Sequence, residues 1–214
     1  PHSSRAAVDP AVKILEKARK QLESKDDQAT VKMKITEPNG EDKTREMTLQ
    51  TLRTENGVEA LIRIQSPSDI KGTAFLSKIE GREERQWLYL PSTKQVRRVA
   101  TAQKSTGVLG SELTPEDLNP TLIRGAQLHL AKEEPTQSII EMTPASNTGE
   151  YTKILVTFSR PQGLPLKTEY YKGDQVAKTV EFLNYVDVND HIERAQLIRV
   201  RNLKKNRGTD LELS

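Results

Sequence analysis

The 214-residue sequence has no cysteine, only one Trp, five Tyr and three Phe, and no long run of apolar residues. The absence of cysteine excludes disulfides, thiolate metal sites and cysteine nucleophiles. A membrane-spanning helix needs about 18 to 20 consecutive apolar residues, and no stretch approaches that length. The N-terminus shows no charged start followed by an apolar core, so no signal peptide is visible in this chain.

The charges are numerous but nearly balanced, with 33 Lys and Arg against 30 Asp and Glu. Basic clusters at 97–98, 199–201 and 204–207 could contact phosphates, but acidic residues are almost as frequent as basic ones. Binding to single-stranded nucleic acid also favours exposed aromatic rings, and this chain has few aromatics. We therefore expect solvated strand edges at these clusters and no nucleic-acid partner.

Groups that could carry catalysis are scarce. His129 and His191 stand without any nucleophile-elbow motif, and no phosphate loop or nucleotide fingerprint occurs. The acidic segment 187–190 lacks the twelve-residue spacing and final Glu of an EF-hand loop, and it reads as a hairpin turn. The sequence predicts no enzyme, no cofactor and no metal site, and a lipid-modifying enzyme is disfavoured.

The chain begins with one amphipathic helix. Asp9 can cap it, Pro10 suits its first position, and apolar residues recur at spacings of three and four through Leu22. We interpret residues 1–7 as a processing remnant or a disordered N-terminus. The rest, 8–214, is expected to form a single domain.

From Gln28 onward the hydrophobic period changes to two, which is typical of antiparallel strands with one buried face. Turn signals such as Asn56-Gly57 separate the strands. Eleven to thirteen strands are expected, counting an uncertain one at 209–213. A sheet that wide usually curls, splits or closes, and a barrel or half-barrel is the simplest arrangement. The inward candidates on the first three strands are Val31, Met33, Ile35, Met47, Leu49, Ile62 and Ile64.

The segment 100–126, called the lid segment below, interrupts this pattern. Its spacing of Thr114 and Asp117 resembles a capping box, and Pro115 suits a first helical position, so a helical turn is expected at 115–119. Apolar residues give the segment one face that can lie on an apolar surface: Val108, Leu109, Leu113, Leu118, Leu122 and Ile123.

The strand at 84–90 is apolar on both faces. Trp87 and Tyr89 project to one face and form candidates for contact with the cavity or lid, while Leu88 and Leu90 project to the other. Such a strand is expected where a sheet is covered on both sides.

The pair Arg97 and Arg98 places one cation on each face of the following strand, as candidates for a polar rim. An inward arginine would need an acidic partner from the lid segment, at Glu112, Glu116 or Asp117, or an anionic ligand. The alternative is that both arginines reach the solvent.

Four motifs together resemble a known family. They are SPSDIKGT at 66–73, RQWLYLP at 85–91, KQVRRV at 94–99 and VLGSELTPEDL at 108–118. The stretch is similar to the outer-membrane lipoprotein-sorting proteins, which are related to the periplasmic lipoprotein carriers LolA and LolB. The resemblance is densest over about residues 60–120.

The resemblance implies a mainly β fold: an unclosed, LolA-like antiparallel half-barrel of about eleven strands, with an N-terminal helix and a short helical lid over a hydrophobic cavity. It implies a periplasmic carrier that binds a lipid or a lipoprotein acyl chain for transfer toward the outer membrane.

The implied partners are an inner-membrane transporter of the resistance-nodulation-division type and an outer-membrane acceptor, with peripheral membrane contact. The alternative is a periplasmic interaction module that keeps the fold, has a filled core and docks a transporter or envelope protein.

Overall fold

The computed structural model describes residues 9–81, 83–99, 108–118, 120–123, 125–144, 151–189 and 191–214. The predicted remnant at 1–7 and lid residues 100–107, 119 and 124 lie outside these ranges. The described helices are α1 (Pro10–Leu22) and α2 (Pro115–Leu118), with 3₁₀ turns at Val108–Gly110 and Pro120–Leu122. No described helix combines the length and apolar character that crossing a membrane requires.

The strands are β1 (Asp26–Thr36), β2 (Asp42–Thr54), β3 (Gly57–Ser66), β4 (Ala74–Glu80), β5 (Glu83–Leu90), β6 (Gln95–Arg98), β7 (Gln127–Glu133), β8 (Gln137–Thr143), β9 (Lys153–Ser159), β10 (Pro165–Lys172), β11 (Gln175–Asn189), β12 (Ile192–Asn202) and β13 (Arg207–Leu213).

Helix α1 begins as the sequence predicts. The Asp9 carboxylate accepts a hydrogen bond from the Ala11 amide at 2.8 Å, which satisfies one of the free N–H groups at the helix start. Ala11 and Ala18 are fully buried against the core, and the small side chains let the helix approach the sheet closely. Lys17 Nζ donates to the Pro161 carbonyl at 3.1 Å, which ties α1 to the turn after β9.

All thirteen described strands form one antiparallel sheet in the order β6-β5-β4-β3-β2-β1-β13-β12-β11-β10-β9-β8-β7. Strand β13 pairs with β1 on one side and with β12 on the other, so the final segment is a central strand. The expected mainly β, unclosed fold is therefore confirmed, and the thirteen described strands are at the upper end of the predicted eleven to thirteen.

The two edges of the described sheet, β6 and β7, follow one another along the chain. The lid segment connects them, so it has to cross from one edge of the open sheet to the other. Its described part lies on the face that carries α1, because Leu113 is 3% exposed and belongs to the same core cluster as Ala11 and Ala18. The topology thus places a cover over the inner face of the sheet.

The inner face supplies most of the core. In β1 every second residue is buried from Ala29 to Ile35, and the intervening residues are exposed. The same alternation continues across the far half of the sheet, where buried inward residues include Ile140, Val156, Phe158, Val180 and Val200. The alternation arises because successive side chains of a strand point to opposite faces.

Candidate ligand cavity and its lid

An apolar cavity remains at one end of the inner face. One wall is formed by β2, β3 and β4, and the other by β11 and β12, while α1 and α2 cover it. The cavity has a volume of about 180 Å³, measured as the space open to the centre of a water-sized sphere. This is more than ten times the space that one water needs. The apolar lining includes Leu22, Leu49, Ile62, Phe75, Leu118 and Phe182.

Charged residues join this lining near the ends of β1, β2 and β12. Arg194 makes a direct ion pair with Asp27, and burial lowers the pKa of Arg194. Arg53 pairs with Glu23 at 3.3 Å between nitrogen and oxygen. These paired charges give the cavity a polar border around an apolar interior.

Tyr185 is a polar group in the wall of the cavity. Its hydroxyl donates to the Pro165 carbonyl at 2.8 Å, and burial raises the pKa of the phenol. The hydroxyl therefore stays protonated and its donor is used within the wall.

The first half of the lid segment is held by Glu112, whose carboxylate is buried. Glu112 Oε1 accepts from Arg207 at 2.8 Å, and Glu112 Oε2 accepts from Asn202 at 2.6 Å and from Lys205 at 3.4 Å. The Glu112 amide also donates to Thr209 Oγ1 at 3.2 Å. These partners all come from β12, β13 and the turn between them, so Glu112 fixes the lid to the middle of the sheet.

Arg207 extends this network to Glu37. The guanidinium donates to both Glu37 oxygens, at 2.8 and 2.9 Å. The bidentate pair lowers the pKa of Glu37 and raises that of Arg207. Arg207 therefore links the turn after β1 to the lid segment.

Helix α2 is held by Asp117, whose side chain is fully buried. Its carboxylate pairs with Lys178 Nζ and accepts from the Tyr170 hydroxyl at 2.9 Å. It also accepts from the Thr114 amide at 2.7 Å, which confirms one half of the predicted capping box. The Lys178 ammonium lies 4.9 Å from the centroid of the Tyr170 ring.

The end of the described lid contacts α1. The Thr121 hydroxyl donates to Glu23 at 3.2 Å, and Arg19 donates to the Thr121 carbonyl at 3.2 Å. Together with Glu112 and Asp117, Thr121 gives the lid three polar attachments to the rest of the protein.

The inward candidates of the first three strands all lie on the inner face, but they divide into two groups. Leu49 and Ile62 line the cavity. The others are packed in the core beside it, at most 4% exposed: Val31, Met33, Ile35, Met47 and Ile64.

Trp87 and Tyr89 occupy the other face. Phe75 lines the cavity and its partner on β5 is Leu88, whereas the partner of Trp87 is Leu76. Because directly paired residues share a face, Leu88 and Leu90 face inward while Trp87 and Tyr89 face outward. A cavity role for the two aromatic residues does not fit this register, which hydrophobicity alone could not reveal because both faces of the strand are apolar.

Arg97 and Arg98 project to opposite faces, as expected, and both are exposed on the edge strand β6. Arg97 donates to the Gln95 side chain at 3.0 Å. Neither arginine is paired with Glu112 or Asp117, which bind Arg207 and Lys178 instead. Both arginines therefore reach the solvent, which was the alternative to an inward arginine.

Of the lid candidates, Leu118 lines the cavity, Leu113 is buried in the core, and Leu109 packs against the core. The side chains of Val108, Leu122 and Glu116 lie outside the described part of the structure.

Three residues beneath the lid are not among those predicted from the sequence: Lys178, Tyr170 and Phe182. The signal was present, because Lys178, Val180 and Phe182 alternate along β11, so a lysine occupies an inward position of an apolar face. A charge at an inward position predicts a buried partner, but the sequence does not indicate which segment supplies it.

No three His, Asp or Glu side chains come together as a metal site within the described ranges. His129 and His191 are both exposed. His191 lies 3.7 Å from Asp187 at a turn outside the cavity lining.

The fold and sequence can be compared with those of known proteins. A family model described as "Uncharacterized protein" matches residues 56–214, more than half of the chain. No curated protein matches the sequence. The crystal structure of a domain from Vibrio parahaemolyticus, assigned as an outer-membrane lipoprotein-sorting protein, superposes with a TM-score of 0.86 at 31% identity, covering 95% of this chain and 90% of that chain.

Two further structures share the fold at 23% identity, each covering 97% of this chain and 92% of the other. A DUF1329 family protein from Desulfovibrio piger has a TM-score of 0.84, and a LolA superfamily protein from Nitrosomonas europaea has a TM-score of 0.71. The Vibrio domain shares 31% identity over nearly the whole chain, against 23% for these two structures, so it is the one of the three that indicates the family. The chain belongs to the outer-membrane lipoprotein-sorting protein family and has a LolA-like open β-barrel fold.

Proposed function

We propose that this protein is a periplasmic carrier that binds a lipid, or the acyl chain of a lipoprotein, in the cavity beneath the lid segment. The observation that carries the proposal is the apolar cavity between two walls of one open sheet, covered by Leu118 of α2 and Leu22 of α1. The relationship to a lipoprotein-sorting domain supports the same conclusion.

Burial of hydrocarbon supplies the binding free energy in this proposal. Each methylene group moved from water into the cavity contributes about 0.8 kcal/mol. Leu49, Ile62 and Phe75 present side chains of different shapes, and they can adjust around an acyl chain without a fixed polar contact. Affinity should therefore grow with chain length until the cavity is filled.

Release of the cargo requires that the favourable free energy of burying its hydrocarbon is partly offset. In this proposal the free energy of lid closure provides the offset. The described cavity is too small for a whole lipid, so cargo has to displace Leu118 and open the attachments of Glu112 and Asp117. When cargo leaves, the same attachments form again. The lid thus makes binding reversible.

The direction of transfer and the partners are part of the proposal. The family relationship supports a place in the periplasm and transfer toward an outer-membrane acceptor, with peripheral membrane contact during the exchange. An inner-membrane transporter of the resistance-nodulation-division type would be the donor. Co-purification of the protein with such a transporter from membranes tests that partnership separately.

Lipid binding is tested on the purified protein. Solvent extraction followed by mass spectrometry should find bound lipid, and a fluorescent fatty acid should bind and be displaced by unlabelled lipid. Absence of both bound lipid and probe binding would remove the carrier proposal and leave the interaction module.

A matched pair of variants locates the site. Ala60→Phe places a ring into the cavity, so it should abolish probe binding without loss of stability. Leu61→Phe changes the neighbouring residue, which pairs with Leu76 on the opposite face of the sheet and should leave binding unchanged. Equal binding by both variants would place the probe elsewhere.

A further inference from the structure

Lys178 is a buried cation that the proposed carrier mechanism leaves unexplained. Its side chain is 3% exposed, on the inner face of β11, with Val180 and Phe182 as the next inward residues. Asp117 of α2 is the one carboxylate paired with it among the described residues. The charge on the wall of the sheet is therefore neutralised by a group on the lid.

Opening of the lid separates these two charges. If α2 lifts to admit cargo, Asp117 leaves with it, and Lys178 and Tyr170 remain on the wall. An ammonium group next to an apolar chain is strongly unfavourable without an anionic partner. Neutral cargo would leave Lys178 unpaired, whereas cargo that carries a negative charge would replace Asp117.

The position of Lys178 suits the head of a ligand whose tail occupies the cavity. Lys178 and cavity-lining Phe182 are four residues apart on one strand, about 13 Å. Leu118, next to Asp117 in the chain, covers the cavity. Lifting α2 would therefore uncover Lys178 and the cavity together.

A second observation points to a ligand along the same path. The Thr168 hydroxyl is buried and has no hydrogen-bond partner within the described part of the chain. Thr168 pairs with Val180 on the neighbouring strand, and Tyr170 pairs with Lys178. Val180 is the inward residue between Lys178 and Phe182, so Thr168 also lies between the cation and the cavity. A buried donor without an acceptor is rare and suggests that another group supplies one.

We propose that Lys178, with the hydroxyls of Tyr170 and Thr168, binds the anionic group of the cargo, and that Asp117 occupies this site in the closed state. The ligand is an acyl chain that ends in a carboxylate or a phosphate. This inference rests on the proposed carrier function and adds a requirement for negative charge.

Glu112 provides a contrast on the same lid. Its partner Lys205 is 55% exposed, so water can solvate that ammonium when the lid opens. Lys205 is therefore a matched control: it also pairs with a lid carboxylate, but it should not select the charge of the cargo.

The experiment compares acyl ligands that differ only in charge, at pH 7.5 and below micelle formation. A fluorescent fatty acid is compared with its methyl ester, and lysophosphatidic acid with the monoacylglycerol of the same chain length as unlabelled competitors. We expect the acid to bind at least tenfold more tightly than the ester. Tight competition by lysophosphatidic acid alone would support the site and identify phosphate as the anion.

Variants assign that preference to Lys178. Lys178→Met alone would leave the buried Asp117 carboxylate without a cation, so it is combined with Asp117→Asn to keep the site neutral. The double variant should bind acid and ester within twofold of each other, while Lys205→Met should keep the wild-type ratio. Circular dichroism and thermal unfolding check that each variant folds.

The outcomes separate the two proposals. If the acid binds the wild type no more tightly than its ester, and lysophosphatidic acid competes no better than the monoacylglycerol, the anion site is refuted and the carrier function stands. A tenfold preference that survives in the double variant also refutes the site. If no acyl probe binds at all, the carrier function fails.

Discussion

The ion pair between Asp117 and Lys178 allows a quantitative prediction about lid closure. Asp117→Asn removes the negative charge and keeps the size of the side chain, so the ammonium of Lys178 is left in the core without a counter-charge. The side chains of Asp117 and Lys178 are 0% and 3% exposed, so solvent screening reduces the effect little.

Breaking one side of a buried ion pair typically costs about 3 to 5 kcal/mol. In a protein of this size, 1 kcal/mol shifts the melting temperature by about 2 to 4 °C, so we expect a decrease of about 6 to 20 °C. The second variant, Asp117→Asn with Lys178→Met, carries no charge at these two positions and should recover most of the loss. The coupling between the two positions should therefore exceed about 2 kcal/mol.

The assay is chemical denaturation of the wild type, both single variants and the double variant, which forms a double-mutant cycle. Amide hydrogen exchange at residues 116–118 shows whether the loss falls on lid opening rather than on global unfolding. A loss below about 1 kcal/mol for Asp117→Asn, together with additive effects in the cycle, would refute the reasoning. It would mean that Lys178 already reaches water in the closed protein.

Two further predictions concern stability. Thr168→Val removes a buried hydroxyl that has no hydrogen-bond partner among the described residues, so it should raise the free energy of unfolding by about 1 kcal/mol. Thr209→Val removes the acceptor of the Glu112 amide and should lower the free energy of unfolding by about the same amount. Equal effects of the two variants in chemical denaturation would contradict the hydrogen-bond assignment. The hydrogen bonds from Arg207 lower the pKa of Glu37. The ionised Glu37 therefore stabilises the folded protein at pH 7, and this stabilisation is lost as the pH falls through the lowered pKa. Glu37→Gln should therefore melt below the wild type at pH 7 and converge with it once the pH has fallen below the depressed pKa of Glu37. A difference that persists in stronger acid would exclude the charge as its cause.

The start of α1 and the alternation along the strands could be predicted from the sequence because they depend on local geometry. Asp9 caps the helix through its own neighbours, and Met33 and Ile35 face inward because a strand alternates its side chains. The lid segment was also predictable, since the period-two pattern stops between 100 and 126. These features need only the spacing of residue types along the chain.

Strand β5 shows where that local information ends. Apolar residues occupy both of its faces, so periodicity leaves two equivalent assignments. The pairing of Leu88 with Phe75 decides between them, and it depends on a hairpin register that no composition rule fixes. Likewise, Arg97 and Arg98 are exposed because β6 is an edge of the described sheet, which follows from the strand order.

The sequence by itself determined that this protein is a curled antiparallel sheet with one helix and one covering segment, because hydrophobic period and turn chemistry act over a few residues. Only the tertiary structure decided that β13 pairs with β1, that the lid joins the two edges, and that Asp117 meets Lys178 across 61 residues. Such pairings are set by long-range strand order and by the cost of burying an unpaired charge, and these act only once the chain has folded.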